Sequence, residues 1–593
     1  MAPPAVHSKP LARASLLLIG LAWSLPFLQP YHRFPLTAFY SEALAFGLGL
    51  AAALLLVTRQ SWHEAELPVV ALVPPALALL MGLQAALGRV PYPEQAVTAT
   101  FYLLWATLLM LLVRVLVREL GMAAIAATLA WFLLVGGLLS AVAAFVQHYH
   151  IAPALDFLVA QKVTARVYGN LGQSNHYAAY LTMALCSAAY LYGCARLHLA
   201  WALACAALLL PALALSGSRS PWIYFGMLAV LALLLLRSRR EPGSHRLFAY
   251  SLCLIPGFVV AGFIVAQWGP SASSAIIATG EQVTSAQRLF EAAAGLNPRV
   301  QLAVEAWEMF LSAPVLGAGW GQFAWHHFIY VGQTSAVAAP GVYNHAHNIV
   351  LHLLAECGAA GGLLVAGAVL LWLVDLRKIK LDLEWWWVLA LLAVLGVHSM
   401  MENPMWYSYF LGVAAVLLGL GSQRTVQPRL SGVARLAVGM LMLVGWFNLI
   451  SVLPHYGEFE RLVFTPAKRD VTQPNERPFV QAIARAHREP LLTPYVELAV
   501  AYGVTVSEDK LREKLELTDR AMHFAPTSVV VYRHALLLAL AGESSAAMRQ
   551  LEWAMRAYPE DIRDIVAELA ALARRRPDAF QPLLDLATAK LRR

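Results

Sequence analysis

Long apolar stretches recur through most of this sequence and constrain its fold more than any other feature. Between Leu11 and Leu453, runs of about 16 to 25 mostly apolar residues alternate with short polar loops, and each run can cross a hydrocarbon layer of about 30 Å as one helix. Hydrophobic residues form 59% of the 593 residues and charged residues only 13%, against roughly a quarter in soluble domains. The sequence therefore predicts an all-α, polytopic membrane protein with about thirteen transmembrane helices.

The net charge of +8 comes mostly from arginines in short loops, where basic residues set membrane orientation, so no nucleic-acid partner is expected. The five cysteines form no CxxC pair and predict neither a disulfide framework nor a metal knuckle. No cofactor is expected. The apolar run after Arg13 could belong to a cleaved signal peptide, but no convincing small-x-small site follows it, so we predict an uncleaved first span.

The distribution of Lys and Arg over alternate loops predicts the orientation. With a cytoplasmic N-terminus, the cytoplasmic loops hold about twice as many basic residues as the opposite loops, and an odd number of spans then places the C-terminal tail outside. In this arrangement the loops with unusual polar chemistry share the extracytoplasmic face: residues 31–35, 166–180, 216–222, 267–345 and 401–409.

Two regions fall outside the pattern of spans. The extracytoplasmic loop 268–345 is far longer than ordinary connections, and its second half, "NPRVQLAVEAWEMFLSAPVLGAGWGQF", predicts an amphipathic helix followed by a Gly-rich turn. We place the transmembrane domain at 1–453 and a tail at 454–593. In the tail, the similar heptapeptides "RAMHFAP" and "WAMRAYP" end at Pro526 and Pro559, 33 residues apart. This spacing predicts an extracytoplasmic helical-repeat (TPR-like) domain that docks a partner or braces the membrane part.

The stretch "NHAHNIVLHLLAECGAAGG" places several ionisable side chains at the head of a predicted span. A zinc site of His345, His347, His352 and Glu356 is one alternative, although residues two apart face opposite sides of a helix. We favour a metal-free interpretation, in which His345 and His352 lie at the helix mouth. Glu356, an ionisable residue inside a span, is then expected to orient a neighbour.

His347-Asn348, followed after nine intervening residues by Gly358-x-x-Gly361, resembles the His-Asn/Ser/Gln-x9-Gly-x-x-Gly motif of the bacterial O-antigen ligase and polymerase superfamily. "GNLGQSNHYAAYL" (169–181) and "HSMMENPMWYSYFLG" (398–412) resemble blocks of one branch, the pilin-glycosylating protein O-oligosaccharyltransferases of the PglL type. "SGSRSPWI" resembles an Arg-x-x-x-Leu element, with Ile223 in place of the leucine. The segment before the histidines resembles the family's Arg helix and Gly-rich turn.

The resemblance implies transfer of an oligosaccharide from undecaprenyl pyrophosphate to a hydroxyl. His347 would act as the general base, because an imidazole titrates near neutral pH. Arg219 and Arg299 would stabilise the leaving diphosphate through bidentate contacts, although each could be an ordinary charge at a helix end. Further site residues on the resemblance are Tyr407 as a catalytic residue, and Asn170, Gln173, Asn175, His176, Asn348, Glu402, His32 and Glu42 as substrate-binding residues or supports.

The expected partners are the lipid-linked oligosaccharide, membrane lipid and a pilin-like acceptor protein. The expected enzyme is a metal-independent, inverting O-oligosaccharyltransferase of the bacterial inner membrane, whose active site faces the periplasm. Two alternatives stay open, the first of them within the same superfamily. One is a lipopolysaccharide O-antigen ligase, whose acceptor is lipid A-core. The other is a polysaccharide transporter, for which matched broken helices would be expected.

Overall fold

The computed structural model describes residues 9–57, 62, 66–149, 151, 153–162, 166–268, 298–334, 341–427, 432–461 and 476–592. Most of these residues are helical and very few are in strands, so the all-α prediction is confirmed. One short antiparallel pair joins two loops, with β1 (Leu67–Pro68) opposite β2 (Thr425–Val426).

The helices before residue 269 are α1 (Lys9–Ala22), α2 (Leu25–Leu28), α3 (Phe39–Leu54), α4 (Val73–Ala86), α5 (Pro93–Leu120), α6 (Met122–Tyr149), α7 (Ser174–Gly193), α8 (Leu199–Leu215), α9 (Ser220–Ser238) and α10 (Pro242–Trp268). The later helices are α11 (Pro298–Ser312), α12 (Phe323–Gln333), α13 (Ile349–Leu376), α14 (Leu383–Ser399), α15 (Ser408–Gly421), α16 (Gly432–Phe459), α17 (Glu476–Ala486), α18 (Thr493–Gly503), α19 (Leu511–Phe524), α20 (Ser528–Leu540), α21 (Ser544–Ala557), α22 (Ile562–Ala573) and α23 (Pro577–Leu591). The helix and Gly-rich turn predicted in the second half of the long loop are confirmed by α11 and residues 313–322.

Eight helical segments among the described residues are long and apolar enough to cross a membrane. They confirm a multi-pass membrane protein. Shorter apolar helices, including α3, α8, α14 and α15, add to these eight. The total of about thirteen spans stays a prediction.

The chain divides into two compact units, and the first consists of residues 1–75, 101–295 and 365–450. Its centre is α7, which packs against α6, α8, α10 and α14. Gly137 of α6 lets the two helices approach closely, because a Cβ there would overlap Ala184 of α7. The hydroxyls of Thr182 and Ser187 are buried within α7 and donate to carbonyls four residues earlier, so these two hydroxyls are satisfied within the helix.

The second unit consists of residues 76–100, 296–364 and 451–593. Its largest apolar core is formed by the helices after residue 476, which we call the tail domain, and successive helices pack side by side. Corresponding residues of the two similar heptapeptides have the same role: Ala521 and Ala554 are fully buried, and Met522 and Met555 are 1% exposed. This equivalence agrees with a helical repeat. The TPR type and a boundary at residue 454 stay predictions.

Candidate functional site

His347 lies in a short segment before α13 that we call the histidine loop, residues 341–348. Its backbone has a φ of +49°, the left-handed region, which costs a non-glycine residue about 1 to 3 kcal/mol. The next residue caps α13, because Asn348 Oδ1 accepts hydrogen bonds from the amides of Val350 and Leu351 at 3.0 and 3.1 Å. The cap uses the Asn348 side-chain oxygen, so we expect this residue to shape the loop.

Two other histidines hold the backbone of this loop. The Nδ1 atom of His345 accepts the His347 amide at 3.1 Å, and the Nδ1 atom of His352 accepts the Ala346 amide at 3.4 Å. Both rings therefore carry an unprotonated Nδ1. The rings of His345 and His347 also lie with centroids 3.9 Å apart. His352 is 3% exposed and thus supports the loop from inside, instead of lying at a helix mouth.

Glu356 ties the Gly-rich turn to α13. It is 1% exposed and accepts the amides of Gly321 and Phe323 at 3.0 Å each. Its Oε2 atom also lies 3.4 Å from His352 Nε2. A buried carboxylate with these partners is well satisfied, and the expectation that Glu356 orients a neighbour is confirmed. The lone pairs of His345, His352 and Glu356 already accept hydrogen bonds. A zinc ion bound by these residues together with His347 would have to displace those hydrogen bonds.

The first glycine of the motif breaks α13. Gly358 has φ +63° and ψ −167°, a region that glycine alone occupies readily. The break frees backbone groups for the preceding turn: the amides of residues 318 and 319 donate to the carbonyls of 355 and 356, and the amides of 359 and 360 donate to the carbonyls of 314 and 315. A Cβ at Gly358 would lie 2.5 Å from Gly317 N and from Val315 O. The motif requires glycine here because two backbones touch.

Gln84 is a support that the sequence reasoning missed. This fully buried amide of α4 donates to the carbonyls of Leu316 and Glu356 at 2.5 and 2.7 Å and accepts the Trp320 amide at 3.2 Å. Arg89 donates to the Gly317 carbonyl nearby. A lone amide in the apolar run of α4 was the signal that could have identified Gln84.

Arg299 lies in the first turn of α11 and is partly exposed. Further along this helix, Glu305 contacts His327 Nδ1 of α12 at 2.5 Å, and both side chains are almost fully buried. The ring of Tyr343 packs edge-on against His327 and lies with its centroid 6.2 Å from that of His347. The Glu305–His327 pair, also missed from sequence, thus joins α11 and α12 beside the histidine loop.

A second cluster, which we call the amide cluster, lies in the first unit. Glu402 is 3% exposed and accepts hydrogen bonds from Gln173 Nε2 at 3.0 Å and Asn175 Nδ2 at 2.7 Å. Asn175 Oδ1 in turn accepts the hydroxyl of Ser218 at 2.9 Å. Three residues predicted from two separate blocks of sequence therefore come together. Ser218, which the sequence reasoning did not single out, joins them.

His176 lies beside the amide cluster on α7. Its Nδ1 atom is 2.8 Å from Nε2 of the fully buried His398, and its ring packs edge-on against Tyr407 with centroids 5.0 Å apart. Burial, reinforced by the charges of Glu42 and Glu402, raises the pKa of Tyr407 to about 12. The phenol is therefore a neutral hydrogen-bond donor at physiological pH.

The predicted supports near the N-terminus hold loops in place. Both ring nitrogens of His32 contact carbonyls, with Thr37 O at 2.8 Å and Asn170 O at 2.6 Å. The Asn170 side chain makes three backbone hydrogen bonds of its own, so we expect it to shape its loop instead of contacting a sugar. Glu42 accepts the amide of Ser408 at 2.7 Å, at the start of α15 and next to Tyr407.

Arg219 precedes α9 and lies between Ser218 and Ser220 in a turn that begins at Ser216. Ser216 Oγ accepts the Ser218 amide at 3.2 Å, and Ser220 is the first residue of the helix. The arginine is partly exposed at the N-terminal end of α9, where the helix dipole favours an anion. Of the predicted cations, Arg219 thus belongs to the first unit and Arg299 to the second.

Comparison with known proteins places these residues in a family context. A family described as O-Antigen ligase matches residues 203–366, and one described as "Virulence factor membrane-bound polymerase, C-terminal" matches residues 386–570. The chain is also 26% identical over 453 residues to a General O-oligosaccharyltransferase of Acinetobacter baylyi, covering 75% of this chain and 76% of the relative. The first match contains the histidine loop and the second contains Glu402 and Tyr407.

Proposed function

We propose that this chain, which belongs to the O-antigen ligase superfamily, transfers a preassembled oligosaccharide from undecaprenyl pyrophosphate to serine or threonine of an extracytoplasmic acceptor protein such as a pilin. The observation that carries the proposal is the similarity, over three quarters of the chain, to a relative named a general O-oligosaccharyltransferase. In this proposal His347 is the base and Arg219 and Arg299 are the cations that such a transfer needs.

His347 serves as the general base. As the acceptor hydroxyl oxygen attacks the anomeric carbon, its proton passes to an imidazole nitrogen, the bond from that carbon to the phosphate oxygen breaks, and the bonding pair leaves with the diphosphate. Attack opposite to the leaving group inverts the configuration. The partly exposed His347 and its fixed, left-handed backbone support this role, since a base must meet its substrate in a defined geometry.

Arg219 and Arg299 stabilise the negative charge that develops on the diphosphate. A guanidinium presents a planar fork of donors to two phosphate oxygens, and preorganised donors of this kind contribute most where charge develops during the reaction. The dipole of α9 adds to the effect of Arg219. These cations do the work that a metal would do, so the proposed reaction is metal-independent.

The amide cluster and Tyr407 bind the sugar next to the diphosphate. Gln173 and Asn175 are fixed by Glu402, so their remaining polar atoms keep one orientation towards sugar hydroxyls. Tyr407 adds a neutral donor, because its pKa of about 12 keeps the hydroxyl protonated. His32 and Glu42 hold the neighbouring loops.

The proposed location is the inner membrane, with the reacting groups on the periplasmic face. Support comes from the distribution of basic residues, which predicts a cytoplasmic N-terminus and gathers the polar loops on the opposite side. Donor lipid and acceptor protein would then meet where pilin-like proteins are exposed.

A second candidate function is lipopolysaccharide O-antigen ligation, in which a sugar hydroxyl of lipid A-core replaces the protein hydroxyl. The observation that favours it is the match of residues 203–366 to the family described as O-Antigen ligase. The same base and cations would serve either acceptor, so the acceptor distinguishes the two functions.

The test is transfer by the purified full-length protein in detergent. Undecaprenyl-pyrophosphate-linked oligosaccharide is supplied with a pilin in one reaction and with lipid A-core in another. The proposal expects glycosylated pilin and unmodified lipid A-core. Product on lipid A-core alone makes the protein a ligase. A transporter would give no covalent product in either reaction, because detergent leaves no compartment to transport across.

A further inference from the structure

The helix α12 lies between two apolar cores of the second unit. On one face, Phe328 and Val331 are buried in the core of the tail domain. At the start of the helix, Phe323 belongs to a smaller core with Leu302 and Ala346, the residue before His347. One helix therefore contacts both the tail domain and the support of the histidine loop.

Polar contacts fix α12 to α21 of the tail domain. The guanidinium of Arg556 donates to the carbonyls of Gly332 and Thr334 at 2.8 and 3.0 Å, and pairs with Glu552 at 2.6 Å. Gly332 is required for the close approach, because a Cβ there would overlap the ring of Trp553. The C-terminal end of α12 thus has its last carbonyls satisfied by the tail domain.

The tail domain also holds the start of the histidine loop. The amide of Gly341 donates to the carbonyl of Ala557 at 2.9 Å, and Val342 packs against the tail core. Thr334 and Gly341 flank residues 335–340, which lie outside the described residues. Two adjacent residues of α21 therefore bind the chain on both sides of this segment: Arg556 binds Thr334 before it, and Ala557 binds Gly341 after it.

The path from these contacts to His347 is short. Tyr343 packs on His327 of α12 and faces His347, six residues after Gly341. His347 adopts a left-handed backbone that persists only where its surroundings hold it. Loss of the contact between Gly341 and α21 would let the His347 backbone relax to an ordinary conformation.

We propose that the tail domain positions the histidine loop, and with it the general base His347, by clamping α12 and Gly341 to α21. This inference rests on the proposed function and assigns the tail a task within the transfer reaction itself. Arg556 is accordingly a positioning residue. It acts through His347 and has no contact with substrate in this assignment.

The first experiment compares full-length wild type with Arg556→Ala, and uses Arg549→Ala as the control because Arg549 is exposed on the same helix. Two activities are measured: transfer of undecaprenyl-pyrophosphate-linked oligosaccharide to pilin, and release of free oligosaccharide to water. We expect Arg556→Ala to lower kcat about tenfold for both acceptors, the effect of losing one or two charged hydrogen bonds, with the KM for pilin unchanged. Arg549→Ala should match wild type.

A purely structural or docking role predicts other results. An increase in the KM for pilin, with release to water unaffected, would make the tail an acceptor-docking surface. Equal activity of Arg556→Ala and wild type would overturn the inference and leave the proposed function standing. Absence of transfer by wild type would instead remove the proposed function.

Two further variants separate positioning from loss of folding. In Arg556, Nη1 donates to both carbonyls while Nη2 binds Glu552. Arg556→Lys keeps the charge but has a single nitrogen for all three partners, so we expect activity between that of wild type and Arg556→Ala. In a His347→Ala background, Arg556→Ala should change the residual rate less than about twofold, because residues that act as a unit are not additive. A further tenfold loss in that background would show that Arg556 does not act through His347.

Discussion

Replacing Gly358 by alanine tests why the motif contains a glycine ten residues after Asn348. The backbone at Gly358 occupies a region that costs other residues about 1 to 3 kcal/mol, and the new methyl would lie 2.5 Å from Gly317 N and Val315 O. Both neighbours are backbone atoms, so relief requires breaking some of the four backbone hydrogen bonds around the break, at about 1 kcal/mol each. We expect a loss of about 4 kcal/mol in the stability of the second unit.

The assay is thermal unfolding of the purified protein in detergent, followed by circular dichroism. A loss of this size corresponds to a decrease in Tm of about 10 °C. Gly367→Ala is the matched control, because Gly367 lies in the same helix with open space where the Cβ would be, and its effect should stay within about 1 kcal/mol. Equal Tm values for the two variants would refute the account of the helix break.

Three further predictions concern side chains of the amide cluster, its neighbour Tyr407 and the support of the Gly-rich turn. Tyr407→Phe should reduce kcat by the same factor from about pH 6 to about pH 9, because a phenol whose pKa is raised to about 12 stays protonated throughout this range. A ratio of wild-type to mutant rates that changes across this range would contradict the neutral-donor role of Tyr407. Glu402→Gln should lower kcat/KM for the lipid-linked donor about tenfold, since its new NH2 group would face the NH2 group of Gln173 or Asn175 in place of a carboxylate oxygen. The control is Glu241→Gln, at an exposed position. Equal kinetics of the two variants would argue against a role of the amide cluster in donor binding. Gln84→Leu should lower Tm through the loss of three backbone contacts, and an unchanged Tm would show that these contacts do not hold the turn.

The sequence predicts local features of this fold well. Apolar runs identify the spans, and the period of "NPRVQLAVEAWEMF" identifies the helix that begins at Pro298. Periodicity is a local property, so it does not reveal that residues 314–319 pair with the break at Gly358. The same limit applies to α12, whose burial in the tail core depends on residues more than 200 positions later.

The candidate site was predicted through motif resemblance more than through residue chemistry. Gln173 and Asn175 were named from one block and Glu402 from another, and the structure joins them by hydrogen bonds. For Asn170 and His352 the roles differ from those first assigned to them. Composition cannot distinguish an amide or an imidazole that binds a substrate from one that satisfies backbone groups, because both tasks use the same atoms.

The most direct test of the central claim is the rate of oligosaccharide transfer to pilin by wild type and His347→Ala at equal protein concentration. Loss of a general base predicts a decrease in kcat of about 10² to 10⁴-fold, while the control His245→Ala, at an exposed position, keeps the wild-type rate. A His347→Ala variant that glycosylates pilin as fast as wild type would contradict the assignment of His347 as the base.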